Sequence, residues 1–235
     1  AYCDAVVVGE GESALTRLAH AGGDPRELEN RANILACCDG DVCFPDEVYW
    51  EDLDALATPV YDVNWELYLS PARGIAYSPS RGCYWNRCAF CDHGLAAGRP
   101  TAPYRERKVE AVAADLRAIA GAGFRFVYFA VDAVRPAYLD RVADAINDAG
   151  IVIRWSTEIR MEPTLTADRC RKFAKSGCVA VSMGMESGSQ RVLDRMNKGV
   201  KVTNMIEVLK NFADSGIAAQ LMAFTDFPGE TESDR

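Results

Sequence analysis

The chain lacks any run of about 18 apolar residues, so no segment of it reads as a membrane span. It also lacks a basic n-region ahead of an apolar stretch. It opens Ala-Tyr-Cys-Asp, which gives no secretory signal. Basic residues are in the minority, 26 against 34 acidic, for a net charge of −8 and a pI of about 4.9. The longest basic block is the mixed Tyr104-Arg-Glu-Arg-Lys108. That balance repels polyanions, so nucleic acid is excluded as a partner of this stretch and a membrane surface is not expected. Internal repeats and low-complexity segments are absent. Histidine is confined to His20 and His93. The missing initiator Met and the abrupt stop at Glu-Ser-Asp-Arg235 predict a piece of a longer protein.

Cysteine, by contrast, is abundant: nine residues, Cys3, Cys37, Cys38, Cys43, Cys83, Cys88, Cys91, Cys170 and Cys178. The odd count, the absent signal and the clustering of three thiols argue for reduced cysteines in the cytoplasm, not a disulfide framework. Cys3, Cys37, Cys43 and Cys178 sit in apolar, strand-like surroundings and read as small buried hydrophobes. In the adjacent Cys37-Cys38, one side chain must point outward on a strand.

Asp4 to Val8 reads as a strand, and Gly9-Glu-Gly-Glu-Ser13 as a turn opening a helix through about His20. Residues 26–74 read as an irregular connector containing a hairpin, Asn33 to Cys38 and Asp41 to Phe44 around Asp39-Gly40. From residue 75 the rhythm is regular. Strands are predicted at Ile75–Ser78, Phe124–Val131, Ile151–Thr157, Cys178–Gly184 and Ile217–Phe224. Helices are predicted at Val109–Ala120, Pro136–Asp148, Thr166–Ser176, Gln190–Met196 and Thr203–Asp214. Alternating β and α units imply parallel strands with right-handed crossovers. The loops after the strands then open on one face.

The run Ser80-Arg-Gly-Cys-Tyr-Trp-Asn-Arg-Cys-Ala-Phe-Cys-Asp-His-Gly94 puts Cys83, Cys88 and Cys91 within nine residues. Three such thiols close on one metal centre with little loop entropy to overcome and leave a fourth position open. Structural zinc needs four ligands, usually two close pairs. His93 is the nearest fourth candidate, cramped two residues after Cys91, and no second Cys-x-x-Cys exists. A plant-type ferredoxin centre shares the C-x4-C-x2-C spacing. Its distant fourth thiol would have to be Cys170, and the alternating α/β pattern does not suit that small carrier. A third reading, beside zinc, is a 4Fe-4S cluster held by three thiolates with one iron open.

On these residues the chain resembles the radical S-adenosylmethionine enzymes. Phe90 fills the aromatic place before the last Cys of their motif, although four residues, Tyr84-Trp-Asn-Arg87, separate the first two thiols instead of three. Val181-Ser-Met-Gly-Met-Glu-Ser-Gly-Ser-Gln-Arg-Val-Leu-Asp-Arg-Met-Asn-Lys-Gly199 resembles the family's fourth-strand signature, and Leu221-Met-Ala-Phe-Thr-Asp-Phe-Pro-Gly-Glu-Thr231 its fifth-strand ending. Asp4-Ala-Val-Val-Val-Gly-Glu-Gly-Glu12 is similar to the end of the cobalamin-binding domain that precedes the barrel in one large subgroup. The usual D-x-H-x-x-G segment of that domain is absent.

The resemblance implies an α/β chain: a partial (βα)6-type TIM-like barrel over 75–235, incomplete after about its fifth strand, preceded by the tail of a Rossmann-like cobalamin-binding domain (1–25) and the connector (26–74). It implies Cys83, Cys88 and Cys91 as cluster ligands, with S-adenosylmethionine on the open iron. One electron would then cleave the sulfonium to methionine and a 5′-deoxyadenosyl radical. Phe90 would shelter the cluster. Asp132 would face the methionine ammonium, with a helix N-cap as its rival role. Glu158 and Arg160 would contact the methionine moiety, Glu186 and its neighbour Ser187 the ribose, and Lys198 the carboxylate. Asp226 and Glu230 lie in the fifth-strand loop, which Pro228-Gly229 shapes. The implied cofactors are the cluster, S-adenosylmethionine and cobalamin. The implied partners are a small-molecule or peptide substrate and a reducing protein such as flavodoxin or ferredoxin. The implied reaction is C-methylation, with non-methylating rearrangement, cyclisation or peptide modification as the alternative. A non-catalytic zinc module is the alternative of another class.

Overall fold

The computed structural model describes residues 3–38, 41–45, 47–62, 64–68, 73–92 and 102–234. The chain forms two compact units, Ala1–Leu56 and Ala57–Arg235. In the first, strands β1 (Ala5–Val7), β2 (Ile34–Cys38) and β3 (Asp41–Cys43) form an antiparallel sheet in that order. Register runs Val7↔Ile34 and Cys37↔Val42. Helix α1 (Glu12–His20) is amphipathic and buries Ala14 against Ile34 and Ala36. Buried Asn33 donates from Nδ2 to the carbonyls of Val8 and Tyr49 at 2.9 and 3.0 Å, and Glu51 accepts from the Ser13 N–H at 2.9 Å. Residues 26–56 are thus joined to 1–25 by sheet and side-chain hydrogen bonds. The unit boundary falls at Leu56/Ala57, within the 26–74 stretch expected as a connector with a hairpin. The hairpin forms as predicted, and its Asp39-Gly40 turn lies outside the described residues.

The thin sheet corrects one expectation about cysteine. Only its inner face has a core to meet, so Cys3 and Cys37 are exposed and Cys43 is half-buried, whereas Cys178 is buried as predicted.

In the second unit five parallel strands lie in the order β10-β9-β8-β7-β4. They are β4 (Gly74–Tyr77), β7 (Phe126–Phe129), β8 (Arg154–Ile159), β9 (Cys178–Glu186) and β10 (Ala218–Ala223). A two-residue hairpin, β5 (Ser80–Arg81) with β6 (Arg105–Glu106), interrupts after β4. The helices are α2 (Val109–Gly121), α3 (Pro136–Asp148), α4 (Ala167–Lys175), α5 (Gln190–Arg195) and α6 (Val202–Asp214). Local chemistry sets their starts. Pro136 occupies the first turn of α3, and Thr166 and Ser189 cap α4 and α5 by accepting from Arg169 N and Val192 N.

The third parallel strand begins at Arg154, not Ile151. Gly150 ends α3 in the left-handed region, Ile151 N still donates to Ile146 O, and the strand ladder starts only when Arg154 N reaches Arg125 O at 2.8 Å. The remaining strands and helices lie within two residues of their expected ends.

Alternation along the strands gives the sheet two unlike faces. One carries Val127, Phe129, Trp155, Val181 and Met183, all buried against the helices. Phe129 stacks on Trp155 at 5.1 Å, and Trp155 meets Phe173 edge-on at 5.9 Å. The other face carries Tyr128, Ser156, Glu158 and Ser182, none of them buried. All strands run the same way, so their C-terminal ends gather on one side. Among the described residues no helix is long and apolar enough to cross a membrane.

Candidate cofactor site

The cysteine loop leaves β4 and β5 at Gly82, whose φ is +80°. A Cβ there would lie 2.8 Å from the Pro103 carbonyl oxygen, so only glycine fits. Gly82 N donates to Asp132 Oδ2 at 3.0 Å, and Cys83 bridges Ala133 beyond the end of β7. Asp132 therefore ties the loop to the sheet. It does not cap α3, whose N-cap position is Arg135 with no side-chain bond. The extra residue between the first two thiols is absorbed by Asn86, which adopts φ +49° and turns its N–H to Cys83 Sγ at 3.5 Å.

Cys88 is buried, while Cys83 and Cys91 are half-buried. Burial pushes the Cys88 thiol up; the nearby cations of Lys198 and Arg160 oppose that shift, and Cys83 and Cys91 reinforce it. Cys88 therefore lies within electrostatic reach of the other two thiols and of both cations. Among the described residues no three His, Cys, Asp or Glu side chains converge on a point that would hold a single ion. One zinc requires four donors at roughly 2.0–2.3 Å from a common centre. A cluster places each thiolate on a separate iron, so its ligands stand farther apart. Three thiolates with a fourth position open suit a cluster, whereas a closed zinc site takes four donors. His93, proposed as a fourth zinc ligand, lies outside the described residues.

The strand-end motifs supply the flank of the site. Glu186 ends β9 with φ +63°, a left-handed conformation that is costly for a non-glycine residue and concentrates at functional sites. Its carboxylate folds back over Gly184, where a Cβ would sit 2.3 Å from Oε1 and 2.7 Å from Lys198 Nζ. Lys198 Nζ meets Glu186 Oε1 at 2.7 Å, and both side chains are nearly buried. The Lys198 ammonium also lies 5.9 Å from the centre of the Phe90 ring, which packs edge-on against Phe224 at 5.2 Å. The structure thus brings together Cys88, Phe90, Glu186 and Lys198. Ser187 is buried next to them, and its hydroxyl accepts from Ser189 N at 3.1 Å at the start of α5.

Glu158 and Arg160 go separate ways. Glu158 stands on the open sheet face, where Tyr128 donates to it at 2.7 Å. Desolvation and that carboxylate push the Tyr128 hydroxyl up to about 12. Arg160 is buried, donates to Lys198 O at 2.6 Å, pairs with Glu162 and lies 4.3 Å over the Trp85 ring. Asp226 is left-handed at φ +67°. Glu230 accepts from Phe227 N, and Arg195 holds the Pro228 carbonyl, so the fifth-strand loop is shaped by its own hydrogen bonds and by α5. Tyr84, Trp85, Tyr128, Glu162 and Asn197 were not singled out from sequence. An aromatic pair inside a cysteine motif facing Asn197-Lys-Gly199 was the available signal.

The family profile described as "Radical SAM superfamily" matches residues 77–235, about two thirds of the chain. The chain belongs to the radical SAM superfamily. Membership means an enzyme fold built to use a 4Fe-4S cluster and S-adenosylmethionine, and the thiol loop with its cationic flank suits both. Relatives of the radical SAM chain include an uncharacterized methyltransferase of Pyrococcus horikoshii, 28% identical over 98% of this chain and 50% of its own length. An anaerobic magnesium-protoporphyrin IX monomethyl ester cyclase of Rubrivivax gelatinosus is 25% identical over 98% of this chain and 43% of its own. The chain thus spans half or less of these relatives' length. The solved structure of the cobalamin-dependent S-adenosylmethionine radical enzyme OxsB superposes with a TM-score of 0.72 at 20% identity. It covers 93% of this chain and 33% of its own, a likeness of fold.

Proposed function

We propose that the parent protein is a cobalamin-dependent radical SAM C-methyltransferase. In this reading Cys83, Cys88 and Cys91 ligate the cluster, and residues 1–25 continue a cobalamin-binding domain. The observation that carries the cofactor assignment is the buried Lys198–Glu186 pair, held 2.7 Å apart beside Phe90 and Cys88. When bound, the cluster and S-adenosylmethionine supply a 5′-deoxyadenosyl radical, and cobalamin supplies a transferable methyl group. The protein's own part is orientation.

An ammonium has three donors and a carboxylate about four acceptor positions. Lys198 can therefore keep Glu186 while taking the methionine carboxylate, and Glu186 can keep Lys198 while accepting ribose hydroxyls, with Ser187 adjacent. Asp132, whose carboxylate accepts from Gly82 N, lies at the start of the thiol loop and is assigned to the methionine ammonium. Phe90 walls the site from water. The open sheet face, with Tyr128–Glu158 and Ser156, and with Ser182 hydrogen-bonded to Gln220 at 3.0 Å, supplies polar groups to orient a small-molecule or peptide substrate. Arg160 acts behind the site, through the Lys198 carbonyl. Reduced thiols and an oxygen-labile cluster suit the cytoplasm and a flavodoxin- or ferredoxin-type donor.

Methylation is supported by two relatives named as methyltransferases, the uncharacterized Pyrococcus protein and a bacteriochlorophyllide d C-12(1)-methyltransferase of Chlorobaculum tepidum, and by OxsB's cobalamin dependence. The cyclase relative, matched over the same 98% of the chain, favours a second reading: ring closure without methyl transfer. The test is anaerobic reconstitution of the full-length protein with iron and sulfide. Electron paramagnetic resonance follows, with and without S-adenosylmethionine, and a visible spectrum with hydroxocobalamin. A cluster signal that shifts on adding S-adenosylmethionine, and disappears in Cys88→Ala, supports the cofactor assignment. A signal indifferent to it rules that assignment out, and an unchanged cobalamin spectrum removes the methyltransferase reading.

A further inference from the structure

Four consecutive residues, Met196 to Gly199, are gripped one after another by the cysteine loop and by Arg160. Met196 O accepts from Ala89 N at 2.8 Å. Asn197 O accepts from Trp85 Nε1 at 2.9 Å, and Asn197 Nδ2 returns a bond to Arg87 O at 2.9 Å. Lys198 O accepts from Arg160 at 2.6 Å. Gly199, at φ +69°, lies so close under the Trp85 ring that a Cβ would come within 2.1 Å of Cζ2. Arg160 also packs on this ring, 4.3 Å from its centre. Its neighbour Glu162 accepts from Tyr84 OH at 2.5 Å. Three of the four spacer residues between Cys83 and Cys88 therefore take part, and Asn86 supplies the left-handed turn that lets them.

The backbone on both sides of Lys198 is thereby referenced to the thiol loop, although the two segments lie more than a hundred residues apart in sequence. A lysine has four side-chain torsions, and aiming its ammonium at one spot costs rotamer freedom. Fixing its backbone does not remove that cost, but it decides where the ammonium can reach. Any displacement of the cysteine loop moves Trp85, and Trp85 cannot move toward Gly199 without pushing the segment that carries Lys198.

We propose that Trp85 is a positioning residue that couples cluster assembly to S-adenosylmethionine binding. Ordering the cysteine loop around the cluster sets Lys198 and Glu186 for the methionine and ribose groups, over and above any direct bond from the cofactor to iron. The inference rests on the cofactor roles proposed for Lys198 and Glu186. Coupling of this kind is reciprocal, so bound S-adenosylmethionine also protects the cluster loop. The four-residue spacer, one longer than the usual motif, is then the device that makes room for the tryptophan.

The experiment compares full-length wild type with Trp85→Ala, Trp85→Phe and Asn197→Gly after anaerobic reconstitution. Iron content, S-adenosylmethionine dissociation constant by equilibrium dialysis and the cofactor-induced shift of the reduced cluster's resonance are each measured. Trp85→Ala is expected to load iron as wild type does yet bind S-adenosylmethionine about tenfold more weakly, with a diminished resonance shift. Trp85→Phe keeps the ring under Arg160 and loses one hydrogen bond, so it should restore most of the affinity. Asn197→Gly tolerates φ +53° and should fall between them. Affinity and resonance shift within twofold of wild type in an iron-replete Trp85→Ala overturn the proposal. Should Trp85→Ala take up no iron, Trp85→Phe and Asn197→Gly decide by the same threshold. Loss of iron in all three also overturns it, because the clasp would then serve the cluster alone. A wild-type protein whose cluster ignores S-adenosylmethionine counts against the cofactor assignment instead.

Discussion

The two faces of the parallel sheet are made by the same strands and obey different rules. Along β7 and β8, Val127, Phe129, Trp155 and Thr157 point to the helices and are at most 1% exposed. Their neighbours Tyr128, Ser156 and Glu158 point the other way, carry hydroxyls and a carboxylate, and keep partial contact with water. Burial of aromatic and aliphatic area stabilises one face at about 25 cal/mol per Å². The other forgoes that gain and holds hydrogen-bonding groups ready instead. Apolar packing and polar display are thus separated by a half-turn of the strand, not by distance along the chain. The open ends of the strands add a third element, a buried ion pair and a thiol loop that neither face explains.

The sharpest way to break this contrast is to truncate each face in turn. Trp155→Ala removes the ring between Phe129 and Phe173 and the Nε1 bond to Ser176 O at 3.0 Å. It should cost about 3–5 kcal/mol in denaturant unfolding. Tyr128→Phe removes one hydroxyl from the half-exposed face and should shift the same transition by no more than about 1 kcal/mol, while altering substrate turnover. Equal losses of stability would dissolve the distinction.

A smaller effect is expected at the strand ends. Glu186→Gln keeps the shape and removes the charge that answers Lys198. S-adenosylmethionine affinity should fall roughly tenfold, about 1.4 kcal/mol, with iron content unchanged. An affinity equal to wild type in dialysis would remove Glu186 from the site.

A last effect, read only across alkaline pH, concerns a thiol on the helix side. Burial pushes Cys170, on α4, up to about 11 from an ordinary value of 9.0. The native state therefore keeps its proton where the unfolded chain has lost it. Stability from this group is complete below pH 9 and falls away between about pH 9 and 11. The loss is at most roughly 3 kcal/mol. In Cys170→Ala that part of the alkaline decline should vanish, as read from unfolding midpoints across pH 8–11.

Much of the scaffold is legible because its signals are local. Pro136, Thr166 and Ser189 mark helix starts through φ restriction and capping, and apolar runs following glycine turns mark β7 and β9. The strand expected at Ile151 fails for a tertiary reason. Its apolar residues Ile151 and Ile153 are spent on leaving α3, and the ladder waits for Arg154 to meet Arg125. Cys3 and Cys37 are misjudged because strand-like sequence does not reveal that a three-stranded sheet has a core on one side only. Arg160 looks equivalent to Glu158 by alternation, but it lies one residue beyond the end of β8 and turns under Trp85.

What the sequence determined by itself is the inventory and its order: alternating β and α units, three thiols after the first parallel strand, and acidic and basic motifs at later strand ends. These follow from short-range periodicity, capping and spacing. What only the tertiary structure decided is which side chains meet. Glu186 folding over Gly184 onto Lys198, and Trp85 closing on Gly199 across 112 residues from its Asn197 hydrogen bond, depend on close packing between segments distant in sequence. Steric exclusion at two glycines selects those contacts, and nothing in the local pattern around either glycine encodes its partner.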